Sequence, residues 1–339
     1  MKLSGKIIKI LANFYYVQDS KNKVWECFAR ARLLKEGKLL FVGDEVEIEE
    51  SNASQGVVVN LCKRKNQILK PPIANVDQIL IVFSTTQPEF DFYNLDRYLS
   101  FVRYELPNEK TIVCINKIDL KKLDINESYK ESSYDVFYVS ALTKEGLDKL
   151  ANQLASKATV LTGPSGVGKS SLIKALAPEY DVKIGSLSSI NQGKQITRNV
   201  QLVPIDVNGL QGFLADTPGF RQFSFATLNP SKIRSTFNEL NNLNCGFSNC
   251  LHNGEENCTL EENSDLIPAT RLESYRKILN ESQSEVLYGT KEETKVKSIG
   301  NRMSLKGKVI PKIDYQMRAK SRKKEKQELL KLEDEVENQ

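Results

Sequence analysis

Gly163-Pro164-Ser165-Gly166-Val167-Gly168-Lys169-Ser170 fits the pattern GxxxxGK[ST]. It stands between a short apolar stretch, Thr159–Thr162, and a helix-spaced one, Ser170–Leu176, that stops at Pro178. Strand, glycine loop and helix is the context in which this pattern cradles phosphate. The glycines let backbone N–H groups close around phosphate oxygens, and the helix start adds its positive dipole end. Lys169 is placed to reach the β- and γ-phosphates and the Ser170 hydroxyl to ligate Mg²⁺, with Ser171 completing the phosphate-side set. Taken alone, the octapeptide also fits a chance Gly/Ser turn; its neighbours along the chain favour the phosphate loop.

Working outward, Asp216-Thr217-Pro218-Gly219 follows the short strand Gly212–Ala215. A carboxylate at the end of a buried strand beside a phosphate loop suits the Mg²⁺ shell, and the Gly219 N–H suits a γ-phosphate sensor; a capped turn is the ordinary alternative. Upstream, Asn116-Lys117-Ile118-Asp119 closes the strand Thr111–Ile115. The Asp119 carboxylate matches the two donors that guanine presents and adenine lacks. Asn116 is suited to bridge base and backbone, and the Lys117 stem to cover the base plane. Ser140-Ala141-Leu142 follows the strand Val136–Val139, where the Ala141 N–H would support the guanine oxygen. An ordinary charged loop competes for the tetrapeptide, less so for strand-NKxD-strand-SA. The strand Gln78–Ser84, a helix with Leu95, Leu99 and Val102, and another with Leu147, Leu150 and Leu154 complete an alternation that predicts a parallel α/β sheet covered on both faces.

The flanks differ from this centre. Before it, Lys6–Ile10, Tyr15–Gln18, Val24–Ala29, Glu45–Glu49 and Val57–Leu61 are short strand-like runs punctuated by Gly, Asn, Asp and Ser. Five such strands suit an OB-fold barrel. Phe14, Tyr15 and Tyr16 offer either base-stacking faces or core filling, and Lys63-Arg64-Lys65 offers phosphate contacts. Pro71-Pro72 predicts a linker. After Asn229-Pro230, a helix start, the chain is polar and helical: Ile233, Phe237 and Leu240 fall on one face, and Ala269–Glu281 carries Leu272, Tyr275 and Leu279. Between the two lies Cys245-x4-Cys250-x-His252-x5-Cys258, which contains the single His of the chain. Three thiolates and one imidazole are the four ligands of a closed, structural Zn²⁺ site; free thiols beside a surface His is the alternative. Cys27, Cys62 and Cys114 read as small buried hydrophobes. The tail Arg318–Lys326 holds six basic residues and one acid, suited to RNA or simply solvated.

Composition sets the outer limits. The 339 residues, 40% hydrophobic and 27% charged, exclude wholesale disorder. The longest apolar run, Ile79 to Phe83, is far too short for a membrane helix. A lysine-interrupted start argues against a secretory leader, so a cytoplasmic protein with reduced cysteines is expected, and nothing demands more than a monomer. One His leaves little room for Ser-His-Asp hydrolysis or multi-His metal catalysis.

The central motifs resemble the signature boxes of the GTPase superfamily in a changed order: NKID and SAL precede the phosphate loop and DTPG. A circular permutation keeps every spatial neighbour if the old termini are joined, and termini of compact domains usually lie close. Together with the barrel and the Cys/His module, the chain from Gly5 to about Lys326 resembles the bacterial ribosome small-subunit-dependent GTPase A family. Arg64-Lys65-Asn66, Pro71-Pro72 and Ala74-Asn75-Val76-Asp77-Gln78 are similar to its linker. The resemblance implies GTP hydrolysis stimulated by the small ribosomal subunit, a role late in maturation of that subunit, and contact with its rRNA. The first switch departs from the family's Gly-Arg-His-Thr-Thr: here it is Gly193-Lys194-Gln195-Ile196-Thr197. Thr197 keeps the Mg²⁺-site hydroxyl, whereas Gln195 stands at the His position and is left to orient the attacking water. Phe220, not Gln, follows Gly219.

The sequence therefore predicts a circularly permuted P-loop GTPase domain (residues 69–228) between an OB-fold RNA-binding barrel (1–68) and a helical zinc-binding domain with a basic tail (229–339). Isolated, it is expected to be slow. A non-catalytic, GTP-gated RNA-binding scaffold and an ATP-using P-loop enzyme are the competing readings; Asp119 argues against the second.

Overall fold

The structure is a computed structural model describing residues 2–35, 37, 39–69, 71–132, 134–178, 200–216, 224–226, 228–241, 243–263, 266–288, 297–298 and 309–310. Residues through Ser282 form one compact unit; a second, beyond it, includes a short antiparallel pair, Lys297–Ser298 with Val309–Ile310.

Five strands close the barrel: β1 (Lys2–Leu11), β2 (Phe14–Asp19), β3 (Val24–Ala29), β4 (Glu45–Glu50) and β5 (Gln55–Leu61), with the short helix α1 (Ala31–Lys35) between β3 and β4. The ring runs β1–β2–β3–β5–β4 and returns to β1, antiparallel except for β3 with β5. Alternation sends Ile7, Val17, Trp25, Cys27, Val46, Ile48 and Val58 inward. Ile8, on the other face of β1, belongs to a different core, shared with the central domain. The aromatic triplet divides in the same way. Tyr15 packs on the barrel core, Tyr16 against the shared core, and Phe14 meets the half-exposed Phe28 at 4.6 Å between ring centroids.

The double proline does not make a loose linker. Pro72 opens the strand β7 (Pro72–Ala74), paired with β6 (Gln67–Leu69) in a two-stranded sheet whose Ile68 and Ile73 enter the shared core. A proline at the first residue of such a strand gives up no ladder bond from an interior position. The basic triplet is likewise structural for the most part. Arg64 grips the fully buried Asp44 with Nε to Oδ1 at 2.7 Å and Nη2 to Oδ2 at 2.8 Å, and Lys65 pairs with Asp77 and Glu109. Arg64 thus fastens the segment that leaves the barrel back onto it, and Lys65 ties that segment to the next domain.

The central sheet has the order β10 (Asp135–Tyr138), β9 (Lys110–Asn116), β8 (Gln78–Ser84), β11 (Ala158–Thr162), β13 (Leu210–Asp216), β12 (Gln201–Val207). The first five are parallel and β12 is antiparallel to β13. β8, β9 and β11 are buried along nearly their whole length, as expected with helices on both faces. The covering helices are α2 (Phe92–Glu105), α3 (Asn126–Tyr129), α4 (Leu147–Leu154) and α5 (Lys169–Leu176). β12 also meets β1 of the barrel, Lys9 opposite Gln201, so one hydrogen-bonded sheet runs through both domains.

Beyond it lie α6 (Pro230–Ser235), α7 (Thr259–Glu262) and α8 (Ala269–Tyr288). The helix expected through Leu240 breaks after Ser235, where the Thr236 hydroxyl bonds the Ile233 carbonyl at 2.7 Å, and a 3₁₀ turn, Asn238–Leu240, follows. Ile233, Phe237 and Leu240 are nonetheless all buried, together with Phe225, Cys250, Cys258, Tyr275 and Leu279. Cys62 is half-buried, not in a core as expected, while Cys27 and Cys114 are fully buried. No described helix is long and apolar enough to cross a membrane.

Candidate nucleotide site and metal centre

Loops that are transposed along the chain meet at the C-terminal ends of the parallel strands, where open α/β sheets bind ligands. β11 lies between β8 and β13, so the phosphate loop leaves the sheet beside the ends of both. Register pairs Leu161 with Asp216, placing the backbone of Asp216 next to the start of that loop; the Asp216 side chain is not among the described atoms. The loop requires its glycines. At Gly163 (φ +138°) a Cβ would lie 2.0 Å from the Val82 carbonyl oxygen, and at Gly168 (φ +95°) 2.4 Å from Asn116 Nδ2. The Lys169 ammonium turns back over the loop and donates to the carbonyls of Gly163 (2.8 Å) and Pro164 (2.6 Å). Ser165, Gly166, Ser170 and Ser171 are exposed at its rim, and Val167 is buried beneath it.

Asn116 ties three loops together. Its Nδ2 donates to the Val167 carbonyl at 2.9 Å, and its Oδ1 accepts from the Ala141 N–H at 3.0 Å. Lys117, with φ +63°, donates from Nζ to the Gly166 carbonyl at 2.8 Å and to that of Gln87. Asp119 is exposed beside them, and Ser140 is buried with its hydroxyl accepting from the Thr143 N–H. A contributor overlooked in the sequence is Thr85. Its N–H donates to the Asn116 carbonyl (3.0 Å) and its Oγ1 to that of Lys117 (2.8 Å), bracing the NKID turn from the end of β8. Its position was readable once β8 and β9 are paired in parallel, Ser84 opposite Asn116. Gln195, Thr197, Gly219 and the basic tail Arg318–Lys326 lie outside the described residues.

The Cys/His residues converge. Their ligand atoms lie within 4.8 Å of one another. His252 Nδ1 is 3.4 Å from Cys245 Sγ, 3.7 Å from Cys250 Sγ and 3.4 Å from Cys258 Sγ, and Cys245 and Cys258 are 4.0 Å apart. A tetrahedron with the usual Zn–N and Zn–S lengths has N···S and S···S edges of about 3.6 and 3.8 Å, so the cage fits zinc. Burial, then the Arg234 charge, lowers the His252 pKa and keeps the ring neutral, the state that ligates. Burial pushes Cys250 up to about 12, a cost that a divalent cation offsets by holding the thiolate. The loop is held by the Glu255 carboxylate, which accepts from the N–H groups of Leu251 (2.9 Å) and Asn253 (2.7 Å).

Comparison with known proteins agrees with this geometry. The model of the RsgA N-terminal domain matches residues 4–58 and that of the RsgA GTPase matches 61–226. Small ribosomal subunit biogenesis GTPase RsgA of Bacillus cereus is 36% identical over 289 residues, 82% of this chain and 96% of the relative. Its namesake in Caldanaerobacter subterraneus is 35% identical over 289 residues, 83% of this chain and 96% of the relative. The crystal structure of YjeQ from Thermotoga maritima superposes with a TM-score of 0.70 at 29% identity, over 84% of this chain and 99% of that one. YloQ, described as a circularly permuted GTPase, gives 0.68 at 30% identity, over 84% and 96%. The permuted order of its motifs, the strand order that restores their neighbourhood, and these likenesses agree: the chain belongs to the RsgA family of GTPases.

Proposed function

We propose that this RsgA-family GTPase hydrolyses GTP at the junction of the three loops and acts in biogenesis of the small ribosomal subunit, which stimulates it late in maturation. The observation that carries the reading is Asn116, bonded at once to the phosphate loop through Val167 and to the SA loop through Ala141. In this reading Asp119 selects guanine, Lys117 covers the base, the Ala141 N–H supports its oxygen, and the backbone from Gly163 to Ser171 receives the phosphates. Lys169 exchanges the carbonyls of Gly163 and Pro164 for β- and γ-phosphate oxygens. Ser170, Thr197 and Asp216 hold Mg²⁺, which neutralises charge on the phosphates. Gln195 orients the attacking water, and Gly219 senses the γ-phosphate. Hydrolysis of this kind depends mainly on positioning and charge stabilisation, so a partner that orders the switches sets the rate.

We assign one structural Zn²⁺ to Cys245, Cys250, His252 and Cys258. The functional division is 1–68, 69–228 and 229–339, with the barrel and the zinc module contacting rRNA, and the protein works as a monomer in the cytoplasm. For the barrel, support comes from the Phe14–Phe28 ring pair, of which Phe28 is exposed; Arg64 is committed to the buried Asp44. The test is GTP turnover with and without purified small subunits. Strong stimulation is expected, and equal rates would remove the ribosome from the account. The altered first switch, Gln195-Ile196, favours one second reading, a GTP-gated scaffold without catalysis. Release of γ-phosphate in a single turnover on the subunit rejects it.

A further inference from the structure

The C-terminal module is fastened to the segment that joins the two base-reading loops. Arg271, on α8, is 1% exposed. Its Nε bonds Glu239 Oε1 at 2.7 Å and its Nη1 bonds Asp96 Oδ1 on α2. The guanidinium lies 4.5 Å from the centre of the Phe237 ring and 5.1 Å from that of Tyr129. Tyr129, at the end of α3, donates its hydroxyl to the same Asp96 oxygen at 2.7 Å. Three residues on, the Ser132 carbonyl accepts from Asn238 Nδ2 of the C-terminal module at 3.1 Å.

This segment matters because of what it connects. It begins at Asp119 and ends at Ser140, the two sides of the base site. The far side of α3 is tied back to the second loop: the Ile125 N–H donates to Tyr138 Oη at 2.9 Å, and that hydroxyl donates to Asp124 Oδ1 at 3.0 Å. Tyr138 stands two residues before Ser140. A continuous set of contacts thus runs from Arg271 through Asp96 and Tyr129 to α3, through Tyr138 to Ala141, and on to Asn116.

We propose that Arg271 is a positioning residue for guanine-nucleotide binding: by neutralising Asp96 it holds Tyr129, α3 and so both base loops in register. The position of the C-terminal module then sets nucleotide affinity, for GDP and GTP alike, and a partner that grips this module acts on nucleotide residence as well as on hydrolysis. The physical reason is the burial. Without the guanidinium, Asp96 and Glu239 are both stranded interior charges; Asp96 must protonate or draw in water, and either loosens its hold on Tyr129. Two sites coupled in this way share a free energy that affects both reciprocally.

The inference rests on the base site proposed above, and the experiment separates the two. Full-length wild type, R271Q, D96N/R271Q and N238A are compared for binding of fluorescent GDP and GTP analogues, with zinc content measured on each. R271Q is expected to raise both dissociation constants by one common factor of about ten, within the usual range of coupling, chiefly through faster release and with zinc retained. D96N/R271Q, which removes the stranded carboxylate that holds Tyr129 and leaves only Glu239 without its cation, recovers part of the affinity, a rescue that general destabilisation does not give. N238A weakens both nucleotides by about threefold. Zinc-loaded R271Q that binds both nucleotides as wild type does, or that weakens GTP alone, overturns the proposal. If R271Q fails to fold, unchanged affinity in N238A overturns it equally. Wild type that binds no guanine nucleotide overturns the base-site assignment and this inference with it, whereas binding by wild type and no change in the variants overturns this inference alone.

Discussion

Replacing Asn116 tests the junction most directly. Asn116→Ala removes two hydrogen bonds at a side chain that is 2% exposed, one to the Val167 carbonyl at 2.9 Å and one from the Ala141 N–H at 3.0 Å. Stranding a partially buried backbone group costs about 1–2 kcal/mol. Two such groups give about 2–4 kcal/mol, or roughly 30- to 700-fold in affinity at 1.4 kcal/mol per decade, because ordering once built into the folded protein must then come from binding. Asn116→Asp divides the effect: the carboxylate keeps the bond from Ala141 and faces the Val167 carbonyl with an acceptor. It is expected to retain the SA loop and lose the phosphate loop. Titration of a fluorescent GDP analogue, with thermal melts as control, reads both variants. Unchanged GDP affinity in a folded N116A protein would refute the claim that these loops form one preorganised site.

Asp119→Asn should weaken guanine nucleotides and favour xanthine ones, read by competition binding; retention of the guanine preference would mean that the base is read elsewhere. Arg64→Ala leaves the fully buried Asp44 without its cation and should cost about 3 kcal/mol, seen as an earlier urea midpoint in the fluorescence of Trp25, the single tryptophan, with little effect on RNA binding. Stripping the metal with a chelator, or Cys258→Ala, should release zinc and lower the melting temperature by unpacking the Phe225–Leu279 core; an unaltered melt would make the cage ornamental. At Asp19 slight burial acts to raise the pKa, but the Trp25 indole N–H (2.9 Å) and the N–H groups of Lys23 and Lys21 outweigh it and hold the carboxyl below its ordinary value of 3.8. The folded state therefore binds its proton less readily than the unfolded one. The stabilisation is full above the ordinary carboxylate pKa and is lost as pH falls through the lowered one, so the drop in urea midpoint between pH 6 and pH 3 should shrink in Asp19→Asn.

What was legible in the sequence, and what was not, follows from the range of each interaction. The phosphate loop, NKID and SAL are contiguous strings whose chemistry is carried by backbone and near neighbours, so their identity survives the permutation. The metal cage spans only Cys245 to Cys258, and its sole His marked it. Pro204 sits in the middle of β12, a residue foreign to interior strands, so the stretch does not read as a strand; among the described residues its only pairing besides β13 is the single Lys9–Gln201 contact. The hairpin signal Asn208-Gly209, both residues at positive φ, was nevertheless present. Arg64 read as surface charge because its partner Asp44 lies twenty residues away. Arg271 gave no signal at all: a buried cation is identified by what surrounds it, and Asp96 is 175 positions distant.

The grip of Asn116 on Val167 also bears on how the protein is made. Chains emerge amino terminus first at about 5–20 residues per second, so the base-reading loops appear on the order of several seconds before the glycine loop that completes them. Until then β8 has no β11 beside it and the Asn116 amide no carbonyl to hold. If the junction is the nucleotide site proposed above, the nascent domain holds nucleotide only once its second half arrives, and guanine capture comes late in synthesis.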